Sequence, residues 1–482
     1  MTADLRRRIF HVEKQLEAQQ AELRLLKAQL TTQTKMIAFP VLALPPEIVS
    51  EIFLYSFEPG PFLALDSKAA PMMLLYVCKT WNRIALGTPA LWSNVLCRLA
   101  SGEKALRALA VLAERSGSTP LSVCIVSDAE NPVRYDIHTF SVLFCQHSHR
   151  IRSLDMRVSS ADLRVIDSYK PQLPALRELG SYAAEHTSRI SMFRDAPNLS
   201  VVRFDHRHLD HIPFRWHNIT ALHAATSGLN MLLHAWQKMP NLAVCSYEPE
   251  KEDMTEEDIE RGNAPVVVHK TIRALHAADF LCYDEPTTLL YYCRLPALET
   301  LVLNNVLDLD IVPFLDDSAP PLRRLILSAK KSRVICIPKV TQTLALMPHL
   351  TELDLSLCER DTYREFCAEF SRSPSVLPKL ERLSLLSARY DRERSEGDEL
   401  ECLEHGALLE LMIEAVSSRQ ATAPAKWKYQ IRTLHIKMVE QVDVVYVSKA
   451  SAIRCDDMSK DGVDLQLGPA ADIIIFPHHD NL

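Results

Sequence analysis

Apolar residues near the N-terminus recur alternately every four and three positions, which is the heptad spacing of a coiled coil. The pattern predicts one helix over residues 1–38, with a seam formed by Leu5, Ile9, Val12, Leu16, Gln19, Leu23, Leu26, Leu30, Gln33 and Ile37. Such a seam favours a homodimer, because each seam residue fills a hole on the partner helix. The alternative is an amphipathic helix that packs against the next domain of the same chain.

Residues 41–96 contain two shorter apolar patterns that predict a small helical module. Pro45 suits a helix start, where a missing N–H group costs nothing, and Glu47 places negative charge in the first turn. Ile48 and Ile52 then share one helix face. A second apolar set at helical spacing, followed by an apolar anchor, includes Val77, Cys78, Trp81, Leu91 and Trp92.

One phrase returns between residues 97 and 445: a proline stands two positions before an apolar residue that opens an LxxLxL-like strand. Clear copies begin at Leu173, Ala196, Met239, Leu295, Ala319, Met347 and Leu377, and weaker ones near Ile151, Ile219, Ile272 and Ile431. The openings are mostly about 20–30 residues apart, which is the period of leucine-rich repeats. Such units stack into an α/β solenoid, because a single unit cannot bury its apolar edge. A conventional α/β domain is the alternative.

Each predicted strand carries a residue between its second and third apolar positions that points away from the core, because side chains alternate across a strand. These residues are acidic, basic, imidazole-bearing and, in places, apolar. The mixture predicts a surface for a protein target of unknown identity, which includes Asp155, Arg203, His223, His276, Asp354 and His435. Ordinary solvated strand residues are the alternative for each position.

Composition and charge exclude several classes of partner. The chain has 54 basic and 61 acidic residues and a net charge of −7, without the basic excess that neutralises a nucleic-acid backbone. No apolar run reaches the roughly 18–20 residues of a membrane helix. The 12 cysteines form no CxxC pair and the N-terminus has no signal-peptide pattern. We therefore expect free thiols, a cytoplasmic and/or nuclear location, and neither nucleic acid nor membrane as a partner.

Catalytic motifs are missing from the sequence. The 11 glycines do not occur in the GxGxxG, GxxxxGK[ST] or GxSxG patterns, and HExxH does not occur. The most metal-like group follows a predicted strand but lacks a distant ligand to complete a tetrahedral site; it comprises Asp205, His206, His208, Asp210 and His211. The sequence therefore predicts no enzyme, no cofactor and no functional metal site. An enzyme in an unrecognised fold is the alternative.

Three ordered segments carry a resemblance to a known family. LPPE from Leu44, VCKTW from Val77 and PALW from Pro89 resemble the F-box motif, in particular its fungal F-box-like form, and the repeats resemble the irregular leucine-rich repeats that accompany F-boxes. The resemblance implies a module that docks on the Skp-type adaptor of a cullin–RING ubiquitin ligase. The implied adaptor-binding residues are Leu44, Pro45, Glu47, Ile48, Ile52, Val77, Cys78, Trp81, Leu91 and Trp92.

The expected fold class is α + α/β, arranged in four segments. A coiled-coil helix over 1–38 precedes an F-box helical module over 41–96, an irregular leucine-rich-repeat α/β solenoid over 97–445, and a C-terminal cap or tail over 446–482. The resemblance implies a non-catalytic substrate-recognition subunit of an SCF-type (Skp–cullin–F-box) E3 ubiquitin ligase. A repeat scaffold for protein–protein interaction outside any ligase is the alternative.

Overall fold

A computed structural model of the 482-residue chain divides into two compact units. The first unit comprises Met1–Asn94 and Val111–Thr119, and the second comprises Val95–Ala110 and Pro120–Leu482. The structure describes residues 14–16, 19–27, 44–56, 71–127, 136–181, 190–204, 215–225, 229–248, 266–278, 281–282, 285–286, 289–304, 311–328, 343–357, 360–373, 376–387, 410–419, 431–438, 446–467 and 476–477.

Three short helices form the first unit: α1 (Pro46–Tyr55), α2 (Leu74–Val77) and α3 (Lys79–Leu86). They are followed by a 3-10 turn, Pro89–Trp92. Proline at the first position and Glu47 in the first turn start α1, as the sequence indicates. Cys78 is extended and separates α2 from α3, and its sulfur accepts a hydrogen bond from the Trp81 N–H at 3.4 Å.

The predicted coiled-coil segment lies largely outside the described residues. Residues 14–16 and 19–27 are helical, and the leucines at positions 16, 23 and 26 are 54%, 52% and 54% exposed. Those three positions belong to the predicted seam, so the seam side chains of the described part are free to meet a second helix. Pairing itself stays a prediction.

The second unit is built on one sheet of 14 strands that lie side by side in chain order. From β2 to β14 each strand pairs with the next in parallel orientation. The strands are β1 (Asn94–Arg98), β2 (Leu121–Val126), β3 (Ile151–Arg157), β4 (Glu178–Ser181), β5 (Val201–Phe204), β6 (Ala221–Ala225), β7 (Val244–Glu248), β8 (Ala274–Ala278), β9 (Thr300–Asn304), β10 (Arg324–Ser328), β11 (Glu352–Leu357), β12 (Arg382–Ser387), β13 (Thr433–Met438) and β14 (Asp464–Leu467).

Helices alternate with these strands along the chain. They are α4 (Glu103–Arg115), α5 (Ile137–His147), α6 (Ser160–Ser168), α7 (Leu229–Lys238), α8 (Val312–Ser318), α9 (Arg360–Arg372), α10 (410–419) and α11 (Lys449–Lys460). Other connections are irregular or carry 3-10 turns, such as Trp216–Asn218 and Leu289–Tyr292. Three pairs of two-residue strands lie outside the main sheet. This alternation of helices with parallel strands agrees with the predicted α/β repeat architecture.

Each of the eleven predicted strand openings leads into one strand, from β3 to β13. The apolar residues that flank the central position of each strand are buried; Leu325 and Leu327, for example, are 0% and 2% exposed. The sheet also reaches beyond the predicted boundaries at 97 and 445, because β1 starts at Asn94 and β14 lies at Asp464–Leu467. The predicted cap or tail thus supplies the last strand of the sheet.

A chain of backbone hydrogen bonds joins the strand entries of successive repeats. A residue at the start of each strand, or directly before it, donates its N–H to the carbonyl of the corresponding residue one repeat earlier, at 2.8–3.0 Å. The eleven bonds connect positions 152, 177, 200, 220, 243, 273, 299, 323, 351, 381, 432 and 464 in that order. The entries are therefore in register from β3 to β14, although the repeats differ in length.

A side-chain ladder strengthens the turns in the first half of the sheet. Asn198 Nδ2 donates to the Pro174 carbonyl at 2.7 Å, and Asn218 Nδ2 donates to the Pro197 carbonyl at 2.9 Å. The next two rungs continue at 2.8 Å and 3.0 Å, from Asn241 Nδ2 to His217 O and from Thr271 Oγ1 to Pro240 O. The asparagine and threonine donors of this ladder all precede the strand of their repeat.

We expect Asn241→Asp to lower the free energy of unfolding of the second unit by about 0.5–1.5 kcal/mol. A carboxylate has nearly the same shape but cannot donate to the His217 carbonyl, which it faces at hydrogen-bond distance. Urea denaturation would measure the change. Gln237→Glu is the control, because it adds the same charge at an exposed position of α7. An equal loss in both variants would contradict the ladder's contribution.

The eight cysteines whose side chains are described are free thiols. Most of them are buried, and burial raises the pKa of Cys97 and of Cys245 to about 12. They therefore behave as small apolar core residues. Among the described helices, none combines the length and the apolar composition that crossing a membrane requires.

Candidate interaction surfaces

Helix α1 carries apolar side chains on two faces, although a helix at the surface of a small unit usually needs one. Val49 and Phe53 are each 2% exposed and belong to the core of the first unit. Ile48, Ile52 and Tyr55 are 48%, 44% and 86% exposed. Their i, i+4, i+7 spacing places them on one face of the helix. The side chains of this outer strip of α1 do not pack into the core of the first unit.

A second exposed apolar group lies at α2. Met73, Tyr76 and Val77 are 50%, 69% and 53% exposed, while Leu74 between them is buried. The i, i+3, i+4 spacing again defines a single face. Large apolar side chains that cluster on a surface commonly mark contact sites for other proteins.

The ten residues that were predicted to bind an adaptor differ in their accessibility. Five are exposed, namely Pro45, Glu47, Ile48, Ile52 and Val77, and three are half-buried, namely Leu44, Cys78 and Trp81. Leu91 and Trp92 are 5% and 0% exposed. Leu91 and Trp92 therefore complete the core of the module, and adaptor binding stays a prediction for all ten residues.

The buried aromatic side chains explain this difference. The rings of Phe53 and Trp81 meet edge to face, with centroids 5.0 Å apart. Trp92 Nε1 donates to the Ala85 carbonyl at 2.8 Å, and the Arg115 guanidinium lies 4.6 Å from the centre of the Trp92 ring. The PALW segment thus holds the helices together, which leaves α1 and α2 to present the outer apolar faces.

The six residues predicted to bind a target lie in one row across the sheet. The strand register pairs the central position of each strand with that of the next strand. We call this the central row; it comprises Cys124, Asp155, Gly180, Arg203, His223, Ser246, His276, Val302, Ile326, Asp354, Ser384, His435 and Gln466. Residues up to 342 positions apart in sequence, Cys124 and Gln466, are thus placed in one row by strand pairing.

Ion pairs flank the central row. Arg203 Nη2 lies 3.4 Å from Glu178 Oε2, and Glu352 Oε2 lies 3.4 Å from Arg324 Nε and 4.0 Å from Arg382 Nη1. These side chains are 37–50% exposed, and exposed pairs contribute only roughly 0–1 kcal/mol to stability. Their main effect is to fix the pattern of charge on this face.

The central row passes through a groove near the carboxyl ends of the middle strands. The groove has a volume of about 500 Å³. We call it the histidine groove, defined by Arg203, His223, Ser246, Glu248, His276 and Asn304. His223 and His276 come from the same pentapeptide, ALHAA, which forms both β6 and β8. The alanines two positions before and two positions after each histidine lie on the same face of the strand, and their small side chains leave the floor of the groove low.

Both groove histidines are held in the neutral form. Burial lowers the pKa of His223, and the charges of Arg203 and His276 lower it further, whereas Glu178 acts in the opposite direction. Burial also lowers the pKa of His276, and the charge of Arg324 adds to that effect. Neutral imidazoles at neutral pH can each donate one hydrogen bond and accept another.

Asp155 occupies a tighter position in the central row. Its side chain is 16% exposed, and Arg157 Nη2 lies 3.5 Å from Asp155 Oδ2. Burial raises the pKa of Asp155, more than Arg157 lowers it. A Cβ atom at Gly180 would lie 3.2 Å from Asp155 Oδ1, so glycine on the neighbouring strand makes room for this carboxyl group.

Two features of this face were absent from the sequence-based prediction. Ser246 stands between the two histidines in the row, and Asn304 and Glu248 reach the groove from the strand ends. The repeated pentapeptide was a usable signal, because small residues around a central polar one predict a depression in a sheet face. The phrase around Ser246 gave a weaker signal, since Cys245 takes the place of the usual leucine.

The predicted metal-like group, Asp205 to His211, lies outside the described residues. Elsewhere in the described chain, no three histidine, cysteine, aspartate or glutamate side chains come close enough to share a metal ion. His223 and His276 are two strands apart, which corresponds to about 9.6 Å between their backbones. Among the described residues, these two imidazoles therefore lack the third ligand that a zinc site requires.

Comparison with known proteins identifies no family for this chain. No protein-family model matches it, and no curated protein matches it. A solved structure described as the TLR13–ssRNA13 complex is similar over 74% of this chain, with 10% sequence identity and a TM-score of 0.23. This chain spans 63% of the length of that one. A similarity of this size establishes neither shared ancestry nor a shared ligand.

Proposed function

We propose that this protein is the substrate-recognition subunit of an SCF-type E3 ubiquitin ligase. In this proposal the first unit is an F-box-like module that binds a Skp-type adaptor and, through it, a cullin–RING ligase. The central row of the second unit binds a protein target, and the N-terminal helix pairs two copies. The assembly would act in the cytoplasm or the nucleus.

One observation carries the adaptor-binding part of the proposal. The segment that resembles the first F-box submotif, LPPE, opens α1, and the outer face of α1 exposes Ile48, Ile52 and Tyr55. An apolar strip next to an equally apolar buried strip is expected of a helix that packs on two sides. The module supplies the inner contact, and the adaptor would supply the outer one.

The proposed role is non-catalytic. A receptor of this kind holds its target near a ubiquitin-charged enzyme, and the rate gain comes from proximity. The in-register sheet suits this role, because repeat arrays provide extended surfaces for partners. The central row supplies polar groups of both charges at regular lateral spacing, which suits a protein segment laid across the strands.

We expect co-expression with a Skp-type adaptor to yield a stable complex, and Ile48→Glu with Ile52→Glu to weaken it at least tenfold. Two carboxylates would have to be buried unpaired in the interface. Copurification followed by a titration would measure the loss. Val142→Glu with Ile453→Glu is the matched control, because these side chains are 46% and 52% exposed and lie outside the module and outside the N-terminal helix.

The results separate the proposal from its alternative. If the wild-type chain does not bind the adaptor, the ligase function is wrong, and a repeat scaffold for protein–protein interaction outside a ligase takes its place. The continuous parallel sheet favours that second function without any reference to the F-box. If the double variant binds as well as wild type, the outer face of α1 is not the contact surface.

A further inference from the structure

We propose that the histidine groove binds an anionic side chain of the protein target, either a carboxylate or a phosphorylated residue, and takes up protons as it does so. This inference rests on the proposed target-binding function of the sheet and makes it specific. It concerns the described residues of β5 to β9 alone. The ligand is identified by its charge and by its hydrogen-bond acceptors.

Hydrogen-bond donors converge in the groove. His223, Ser246 and His276 are adjacent in the register on β6, β7 and β8. Arg203 adds a guanidinium from β5, and Asn304 adds an amide from β9. Neighbouring strands are about 4.8 Å apart, so the opening between the imidazoles is about 9.6 Å across at the backbone. A single side chain can enter there and meet donors on both sides.

The electric field at the two imidazoles favours an anion. The charged groups facing them are Glu178 on β4, Arg203 on β5, Glu248 on β7, Arg324 on β10 and Glu352 on β11. At His223 the effect of Arg203 on the pKa exceeds that of Glu178, and at His276 the charge effect comes from Arg324. An arginine therefore has the largest charge effect on each ring, although the whole chain has a net charge of −7.

The carboxylates near the groove are partly engaged elsewhere. Glu178 pairs with Arg203 at 3.4 Å, and Glu352 pairs with Arg324 at 3.4 Å. Glu248 is exposed at the end of β7. The Arg203–Glu178 and Arg324–Glu352 pairs are each close to neutral as a whole. A basic ligand would therefore meet the Glu248 carboxylate, whereas an anion would meet two imidazoles that can become positive and the N–H groups that Arg203 keeps beyond its pair. The arrangement favours an acceptor-rich, negative group.

Proton uptake follows from the same geometry. An anion placed between the rings stabilises the imidazolium form and raises the pKa of His223 and His276 from their lowered free values. A group whose pKa rises on binding takes up a proton, so the affinity must increase as the pH falls through that pKa. The dependence between about pH 7.5 and pH 6 thus reports on the histidines.

Short peptides with random flanks and one fixed central residue test the proposal on the full-length chain. The central residue is Glu, phosphoserine, Gln or Lys, and the amount of each set retained by immobilised protein is measured. We expect at least about fivefold more Glu-centred or phosphoserine-centred peptide than Gln-centred peptide, as charge-assisted bonds predict. Retention of the Glu set alone or of the phosphoserine set alone distinguishes the two sources of negative charge.

Two variants place the effect in the groove. His223→Gln with His276→Gln should abolish both the preference and its pH dependence, since glutamine keeps polarity but takes no proton. His217→Gln with His234→Gln, at exposed positions away from the groove, should change neither. The pH series uses the Glu-centred set, because a phosphate itself titrates near pH 6. Urea denaturation verifies that both variants are folded.

Several outcomes would overturn the proposal. Equal retention of the Glu, phosphoserine and Gln sets would exclude anion recognition, and enrichment of the Lys set would reverse its sign. A preference that survives in the groove variant would place the site elsewhere. If that variant fails to fold, a flat pH series for wild type is sufficient to reject the idea. Adaptor binding, measured on the same preparation, reports separately on the ligase proposal.

Discussion

Trp92→Ala is expected to destabilise the first unit by about 3–5 kcal/mol, the usual loss when a buried tryptophan is truncated. The Trp92 side chain is 0% exposed. Its removal takes away the indole N–H that donates to the Ala85 carbonyl and the aromatic ring that the Arg115 guanidinium contacts. A module of this size holds only a few kcal/mol, at roughly 0.05–0.15 kcal/mol per residue. The unit should therefore be largely unfolded in the variant.

Hydrogen exchange with mass spectrometry would measure this effect locally. Amides of α1 and α3 should lose protection, while those of β9 to β12 should keep it. Leu86→Ala is the control, because Leu86 is 43% exposed at the end of α3 and its truncation should be nearly neutral. Unchanged protection of α1 in Trp92→Ala would contradict the assigned role of the PALW segment. Adaptor binding would be lost in this variant through unfolding, in contrast to the Ile48 and Ile52 substitutions.

Arg419→Met is expected to lower the free energy of unfolding of the second unit by about 2–4 kcal/mol. The guanidinium at the end of α10 is 6% exposed and donates to the carbonyls of Phe370, Val376 and Leu377. It also lies 4.0 Å from the centre of the Phe370 ring. Methionine fills much of the same space but leaves these carbonyls without their charged donor.

The guanidinium of Arg419 keeps its positive charge although it is buried. Burial lowers the pKa of the guanidinium to about 10, so it is still protonated at neutral pH and can donate from both terminal nitrogens. Arg419→Lys should recover part of the loss, since an ammonium group cannot reach three carbonyls in one plane. Arg432→Met is the control, because the Arg432 side chain is 74% exposed and its Nη1 atom lies 3.9 Å from Glu381 Oε2. Denaturation by urea should show a loss below about 0.5 kcal/mol for that control.

The strands of the second unit were predictable because their signal is local. A proline, a turn and a leucine pair specify where each strand starts, and the alternation of faces follows from backbone geometry. The signal failed where a turn used different chemistry. In β2, Pro120 directly precedes Leu121, and β14 is reached through Gly462, whose positive φ of 88° suits glycine. Neither opening has the repeated phrase.

The candidate sites were less predictable, because they depend on contacts that sequence spacing does not encode. In the sequence both Ile48 and Trp92 belong to apolar patterns of the same module, yet Ile48 is 48% exposed and Trp92 is 0% exposed. Which face packs inward is decided by distant partners such as Arg115. In the same way, His223 and His276 come to lie in one row, on either side of Ser246, only through the pairing of both strands with β7.

The hydrogen-bonded strand entries have a consequence for how the recognition surface fails. Because each repeat touches mainly its two neighbours, loss of structure in such an array starts at a terminus and advances one repeat at a time. The groove draws its lining from β5 to β10, with four strands before it and four after it. Fraying from either end must dissolve four strands before it reaches the groove. The outer repeats thus protect the central repeats, which line the groove, from unfolding that starts at the termini.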